Sequence, residues 1–271
     1  MVKVIAELSI NHLGMRKIAI AMMEECAKMG VDYIKFKKKD VASYYKSGKD
    51  FKGYDFKKYR GSFELSEKDL EEIDLWCSEN KMKWFSTIHG VNSFNAISSF
   101  DVPFYKIASS DALDDKFIEW YLTANKEKKP TIVSTGGMGI MQIDEMARLM
   151  RGEEIPLIIN HCVSIYPTPI EQTNIGFIKE LQSIYGVTVG YSGHEEGWIP
   201  TLLAVQMGVE YVERHLTLSR DLDIHHINAS LTVDEFSDMV NDIRDLEKAL
   251  DSGYKDYEEM EFNFLKERVY E

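Results

Sequence analysis

Three cysteines in 271 residues, Cys26, Cys77 and Cys162, are too few and too scattered for a disulfide framework or a cysteine metal site. An odd count of thiols suits a reducing compartment. Prolines number only six, and no Pro-, Gly- or Ser-rich stretch divides the chain, so composition offers no linker between domains. No apolar run approaches the roughly 20 residues that span a bilayer. The opening Met-Val-Lys-Val-Ile-Ala-Glu enters a strand at once and lacks the layout of a signal peptide. The expectation is a cytoplasmic protein with no membrane partner.

Basic charge is also scarce. Lys and Arg total 32 against 45 Asp and Glu, a formal charge of -13, and no basic stripe offsets it. That excludes nucleic acid as a general partner, and an anionic ligand would have to be met by local lysines and a metal. A Walker loop, a GxGxxG turn and a nucleophile elbow are all missing. Cys162 directly follows His161, so strand alternation sends the two side chains to opposite faces and they form no nucleophile pair.

What is present is alternation. Short β-branched or apolar runs at 2–9, 33–37, 84–88, 104–109, 131–134, 157–163, 187–191 and 211–216 read as strands. Helical periodicity follows each of them, at 16–30, 66–81, 92–100, 116–128, 142–151, 174–185, 198–208 and 232–250. Ser66 with Asp69, and Thr232 with Glu235, carry the capping pattern of a helix start. The charged, aromatic stretch 40–63 has no clean period and reads as a long rim loop, a kind more often functional than idle. Alternation predicts a parallel sheet, and a count of eight predicts a closed barrel. The fold class is α/β: a single (β/α)8 TIM barrel over 1–253, with an acidic tail over 254–271.

Such a barrel builds its active site at the C-terminal ends of the strands, and polar residues collect there. Strand one ends in Glu7, Asn11 and His12; strand two carries Lys35 and Lys37. Strand three ends in Ser86 and Thr87, and strand four in Lys106, Ser109, Ser110 and Asp111. Ser134 and Thr135 close strand five, and strand six reaches His161 and Ser164. Lys35 lies between Ile34 and Phe36 in a strand buried on both faces, and a buried ammonium needs a charge partner. That partner is either a substrate anion or an interior carboxylate such as Glu7; Lys106 invites the same pair of readings. Glu7 itself is either an acid–base group or a structural partner to a lysine.

Two histidines frame the last strands. Tyr191-Ser192-Gly193-His194 ends strand seven, and Glu213-Arg214-His215 ends strand eight, leaving room for one helix between. Adjacent strand ends place the imidazoles side by side, as satisfied core histidines or as ligands of a divalent metal. Imidazole and carboxylate ligation with open positions suits Mn or Mg better than a closed Zn site. The Ser-Thr-Gly-Gly turn at 134–137 could hold phosphate on backbone N–H groups, a weak signal. His225-His226 reads as a solvated loop pair unless its loop folds over the barrel mouth.

Taken together, these segments resemble the N-acetylneuraminate (sialic acid) synthase family. Ala6-Glu7-Leu8-Ser9-Ile10-Asn11-His12-Leu13-Gly14 is similar to its opening motif. Ile34-Lys35-Phe36, Phe85-Ser86-Thr87, Tyr105-Lys106-Ile107-Ala108-Ser109 and Val133-Ser134-Thr135-Gly136 follow in order. His161-Cys162-Val163-Ser164-Ile165-Tyr166-Pro167-Thr168-Pro169, Tyr191-Ser192-Gly193-His194 and Glu213-Arg214-His215-Leu216-Thr217 complete the set. The matches span about 4–231, and it is the ordered set that is specific.

The resemblance implies a barrel enzyme condensing phosphoenolpyruvate with an N-acetylated amino sugar, such as N-acetylmannosamine, to give a nonulosonic 2-keto acid and phosphate. It implies Mn, with Mg as the alternative, on His194 and His215, and Glu7 handling the attacking water or the aldehyde proton. Lys35 and Lys106 with Thr87, Ser109, Ser134 and Ser192 would hold phosphoenolpyruvate, Asp111 belongs to the same substrate site, and Tyr166 would face the acceptor. Three positions depart from the pattern. Lys37 replaces a Gln on the acceptor side, His226 stands where a sugar-binding Asp is expected, and Ser164 replaces an Asn found in some relatives. Family members also usually continue into a small antifreeze-like domain that lends an Arg to a partner's site. The expected partners are therefore the two substrates and a second copy or a separate capping protein. Two alternatives stay open: an enzyme condensing phosphoenolpyruvate with a different aldose, and a non-catalytic barrel that binds these ligands.

Overall fold

The computed structural model describes residues 1–45, 50–51, 53–224, 226–250 and 259–270. Eight parallel strands form its centre: β1 (Lys3–Ser9), β2 (Tyr33–Lys39), β3 (Lys83–His89), β4 (Tyr105–Ile107), β5 (Thr131–Ser134), β6 (Leu157–Cys162), β7 (Thr188–Ser192) and β8 (Tyr211–Leu216). Each pairs with its neighbour in chain order, and β8 returns to pair with β1, so the sheet closes. This is the expected (β/α)8 barrel. Burial on both faces accounts for the strand composition, since apolar side chains fill one face of each strand against the helices.

Helices α1 (Arg16–Met29), α2 (Glu67–Glu79), α3 (Val91–Ser98), α4 (Asp115–Ala124), α5 (Ile140–Gly152), α6 (Phe177–Tyr185), α7 (Ile199–Gln206) and α8 (Val233–Leu250) surround it. Gly30 ends α1 in the left-handed region at φ 71°, which a side chain would strain. Ser66 and Asp69 form a full reciprocal capping box at α2. Thr232 and Glu235 do the same at α8, through Thr232 N to Glu235 Oε2 at 2.9 Å and Glu235 N to Thr232 Oγ1 at 3.4 Å. Among the described residues no helix is long and apolar enough to cross a membrane.

Three expectations change. The rim stretch 40–63 is not an irregular loop. Asp40 caps a short helix at Val41–Tyr44, Asp55 caps another at Phe56–Gly61, and a two-residue ladder joins Asp50–Phe51 to Tyr54–Asp55. These pieces are too short to carry a readable period. Strand β4 stops at Ile107 because Ser109–Ala112 turns into helix. The tail contains a helix, Glu259–Tyr270, while the expected boundary at 253/254 lies outside the described residues.

The barrel interior is layered. At the bottom Tyr33 contacts Phe85, Phe104 and Tyr211, with ring centroids 5.3 to 6.3 Å apart, so aromatic edges plug the floor. Polar side chains occupy the layers above.

Candidate active site

Strand pairing sets the first polar layer. Glu7 on β1 lies in register with Lys35 on β2 and with His215 on β8. The Lys35 ammonium pairs with Glu7 in a close contact and with Glu213 Oε1 at 3.1 Å. Lys106 donates to Glu213 Oε2 at 2.6 Å, and Ser192 Oγ donates to Glu213 Oε1 at 3.2 Å. All four charged side chains are buried, and two carboxylates balance two ammoniums. Burial would push the Glu213 carboxyl up, but Lys106 and Lys35 outweigh it and hold it far below its usual range. Burial pushes Lys106 down, whereas Glu213 and Glu7 overcome the same burial at Lys35 and hold its ammonium charged. Both sequence readings of these residues thus meet here: each lysine has an interior carboxylate, and each lines the cavity above.

That cavity has a volume of about 490 Å³ and opens at the C-terminal ends of the strands. Lys37, Thr87, Ser109, Ser134, Ser164, Tyr166, Ser192, His194, His215 and His226 all line it, so the barrel brings nearly every expected site residue together. Glu7 lies beneath, against Lys35, and Asp111 lies behind His89. One wall is made by Gly136, whose N–H donates to Ser109 Oγ at 3.1 Å. A Cβ there would lie 2.1 Å from Ser164 Oγ and 2.8 Å from Ser109 Oγ, so only glycine lets these hydroxyls converge.

The two imidazoles also line the cavity, with centroids 5.7 Å apart. His194 Nδ1 donates to the Val163 carbonyl at 3.0 Å, which leaves its Nε2 lone pair free. His215 Nδ1 is buried without a hydrogen-bond partner. Burial pushes His194 down to about 3, and pushes His215 well below its usual value. Both rings are therefore neutral, the form that binds metals. A backbone-tethered Nδ1 is the usual support of a ligating histidine. The pair fits a divalent ion, and Glu213, engaged by Lys35 and Lys106, is not available as a carboxylate ligand beside it. Among the described residues no group of three or more His, Cys, Asp or Glu side chains forms a metal cluster. Two imidazoles with substrate or water oxygens are the donor set that remains.

His226 corrects a reading. It does not stand in solvent: its ring packs on Tyr166 at 3.8 Å, and Tyr166 packs on His194 at 4.1 Å. The loop turns through His226 in the left-handed region, φ 72°, and brings the ring over the cavity. His225 lies outside the described residues. Other strand-end polar groups serve the scaffold. Asn11 Nδ2 donates to Leu216 O at 2.6 Å and Ser230 Oγ at 3.1 Å, His12 Nδ1 accepts from Gly14 N at 3.1 Å, and His161 Nε2 donates to Thr173 O at 3.0 Å.

Two further groups do not stand out from the expected strand ends. Lys39 and His89 continue the inward rows of Lys35–Lys37 and Thr87, and they face each other in register on β2 and β3. Same-parity counting beyond the expected strand ends would have found them. The second group is Arg214 with Glu195, both buried, on the outward face of β8 and in the loop after His194.

A family model described as NeuB family matches residues 22–255. The chain belongs to the NeuB family. Among its NeuB-type relatives, pseudaminic acid synthase of Campylobacter jejuni (strain 81-176) is 34% identical over 277 residues, covering 98% of this chain and 79% of the relative. An uncharacterised protein of Methanocaldococcus jannaschii is 33% identical over 253 residues, covering 93% and 73%. The crystal structure of N-acetylneuraminic acid (sialic acid) synthetase from Leptospira borgpetersenii superposes with a TM-score of 0.85 at 26% identity, covering 98% of this chain and 91% of that one. This NeuB barrel is accordingly an enzyme of the synthase type that forms carbon–carbon bonds.

Proposed function

We propose that the protein condenses phosphoenolpyruvate with the aldehyde form of an amino sugar, giving a nonulosonic 2-keto acid and inorganic phosphate. The observation that carries this reading is the shared cavity, in which a paired-imidazole wall stands over a charge-balanced layer of two lysines and two glutamates. His194 and His215 would hold a divalent cation, Mn or Mg, which when bound supplies Lewis acidity to the aldehyde oxygen.

Each remaining role falls to a residue whose surroundings suit it. Lys35 and Lys106 are charged groups at the cavity floor and can turn toward the substrate's carboxylate and phosphate. The hydroxyls of Ser109, Ser134, Ser164 and Ser192 line the cavity and can donate to phosphate oxygens, with the Gly136 backbone allowing Ser109 and Ser164 to approach each other. Thr87, which accepts from Lys35 Nζ at 3.0 Å, keeps that ammonium aimed. Glu7 sits beside Lys35 and can take a proton from water as it adds to C2 of the enol ester. In the balance, C3 of the enol bonds to the aldehyde carbon, whose oxygen gains a proton. Water adds at C2, and the C2–O bond to phosphate breaks. Tyr166, between His194 and His226, is placed to pack against the acceptor.

The test is phosphate release and product mass with phosphoenolpyruvate, Mn and a panel of N-acetylhexosamines and diacetamido sugars, with and without a chelator. Turnover with an amino sugar, lost on chelation, is expected. Consumption only with aldoses lacking nitrogen would overturn the acceptor. Tight phosphoenolpyruvate binding with no turnover at all would instead favour a non-catalytic barrel.

A further inference from the structure

The outer end of the cavity carries cations that the reaction proposed above does not use. Lys35 and Lys106 are matched by Glu7 and Glu213. Lys37 and Lys39, further along the same face of β2, are not. Among the described residues no carboxylate pairs with either ammonium. Of the two acids whose charges act on Lys39, Asp111 is turned to His89 at 2.7 Å, and Glu64 to Arg60 at 2.9 Å and to the Lys39 backbone N–H at 3.0 Å. Lys39 Nζ instead donates to Tyr45 Oη at 2.9 Å and lies 4.1 Å from the centre of the Tyr44 ring. Burial, together with Arg60 and Lys37, pushes its ammonium down to about 7, the mark of a cation set without its counter-ion.

A second observation points to a ligand at the same place. His89, 3% exposed, lines the cavity in register with Lys39. Its Nδ1 lies 2.7 Å from Asp111 Oδ2. A carboxylate only accepts, so Nδ1 carries the proton and Nε2 the lone pair. That Nε2 is buried and has no hydrogen-bond partner. An orphaned buried polar atom in a native fold calls for a partner from outside the chain. Lys39 lies four residues beyond Lys35, roughly 13 Å along the strand, which exceeds the length of a three-carbon phosphate ester. A ligand filling the lower site therefore does not reach Lys39.

We infer that this rim is the distal end of the acceptor subsite, and that the acceptor is an anionic aldose whose phosphate monoester or carboxylate sits at Lys37 and Lys39 beside His89. This deepens the condensation proposed above and rests on it. An anion there would neutralise two isolated ammoniums, and a hydroxyl next to it would donate to His89 Nε2.

The test compares N-acetylmannosamine, its 6-phosphate and its 6-carboxylate as acceptors, following phosphoenolpyruvate consumption with Mn present. The expected result is a preference of at least about tenfold in kcat/KM for one or both anionic sugars, the two arms separating phosphate from carboxylate. Lys39→Met should remove most of that preference, and Lys39→Arg, which keeps the charge, should retain it. Equal use of the neutral and anionic sugars would overturn the inference while leaving the condensation standing. So would a preference untouched by Lys39→Met in a variant with a wild-type circular dichroism spectrum. If no acceptor turns over, the condensation reading fails. Calorimetry with the same three sugars then decides the subsite, since equal affinities would overturn it.

Discussion

His12 illustrates how one side chain of a site-like sequence becomes part of the scaffold. It is buried beside Phe36 and accepts from the Gly14 amide, and burial pushes its pKa from 6.5 to about 4. Between those values the unfolded chain binds a proton that the folded protein does not, so stability is full above pH 6.5 and falls as the pH drops toward 4. A difference of that size corresponds to about 3 kcal/mol. His12→Gln should therefore flatten the acid limb of the stability curve, read as urea midpoints at pH 7 and pH 4.5. An unchanged difference between the two pH values would show that His12 contributes nothing to this limb, which other buried imidazoles such as His89 and His194 also steepen. At this scale the sequence was legible wherever strand parity decides direction, as with Lys35, Lys37 and Lys106. It was ambiguous for His12, Asn11 and His161, because a polar residue past a strand end can turn to the cavity or back to the chain. Only the positions of Gly14, Leu216 and Thr173 decide which, and those are tertiary facts.

Elements carry their own constraints, and the loop between β7 and α7 shows the strongest. Arg214, on the outward face of β8, donates through Nη1 to Glu195 Oε1 at 2.8 Å and Gly197 O at 2.6 Å, and through Nη2 to Glu195 O at 2.7 Å. Tyr191 Oη donates to Glu195 Oε2 at 2.8 Å. This knot ties the loop that carries His194 to the strand that carries His215. Removing one partner leaves a buried charge uncompensated, a loss of about 3–5 kcal/mol. Arg214→Met should show that loss in urea denaturation; a change below about 1 kcal/mol would mean the loop relaxes and hydrates Glu195. The knot was not legible beforehand because alternation alone sets Arg214 outward without saying what meets it. The wall around Gly136 permits a gentler test. Gly136→Ala forces Ser164 and Ser109 apart, at a cost comparable to one hydrogen bond, so KM for phosphoenolpyruvate should rise about tenfold. Adding Ser164→Ala should not restore it if the Ser164 hydroxyl is a ligand, whereas full recovery in the double variant would make the effect purely steric.

For the whole molecule, closure of the barrel was readable from eight alternations, since a parallel sheet with helices after every strand has few other ways to bury both faces. The rim was not, because its short capped helices and the turn at His226 obey local side-chain geometry rather than a period. Closure also makes the proposed metal a global stabiliser. His194 lies in the loop just past β7 and His215 on the adjacent strand β8, and β8 seals the barrel against β1. An ion binding the two rings binds only the folded state, because the unfolded chain does not hold them 5.7 Å apart. At a hundredfold excess over Kd such binding adds about 2.7 kcal/mol, which for a chain of this length raises Tm by about 5 °C. Mn added to the chelator-treated protein should give that shift. His215→Ala should abolish it while retaining the fold, because its Nδ1 is buried without a hydrogen-bond partner, and His194→Ala should abolish it while losing only the single bond to the Val163 carbonyl. A wild-type Mn response in either variant would move the metal away from this pair, and the condensation would then need its Lewis acid elsewhere in the cavity.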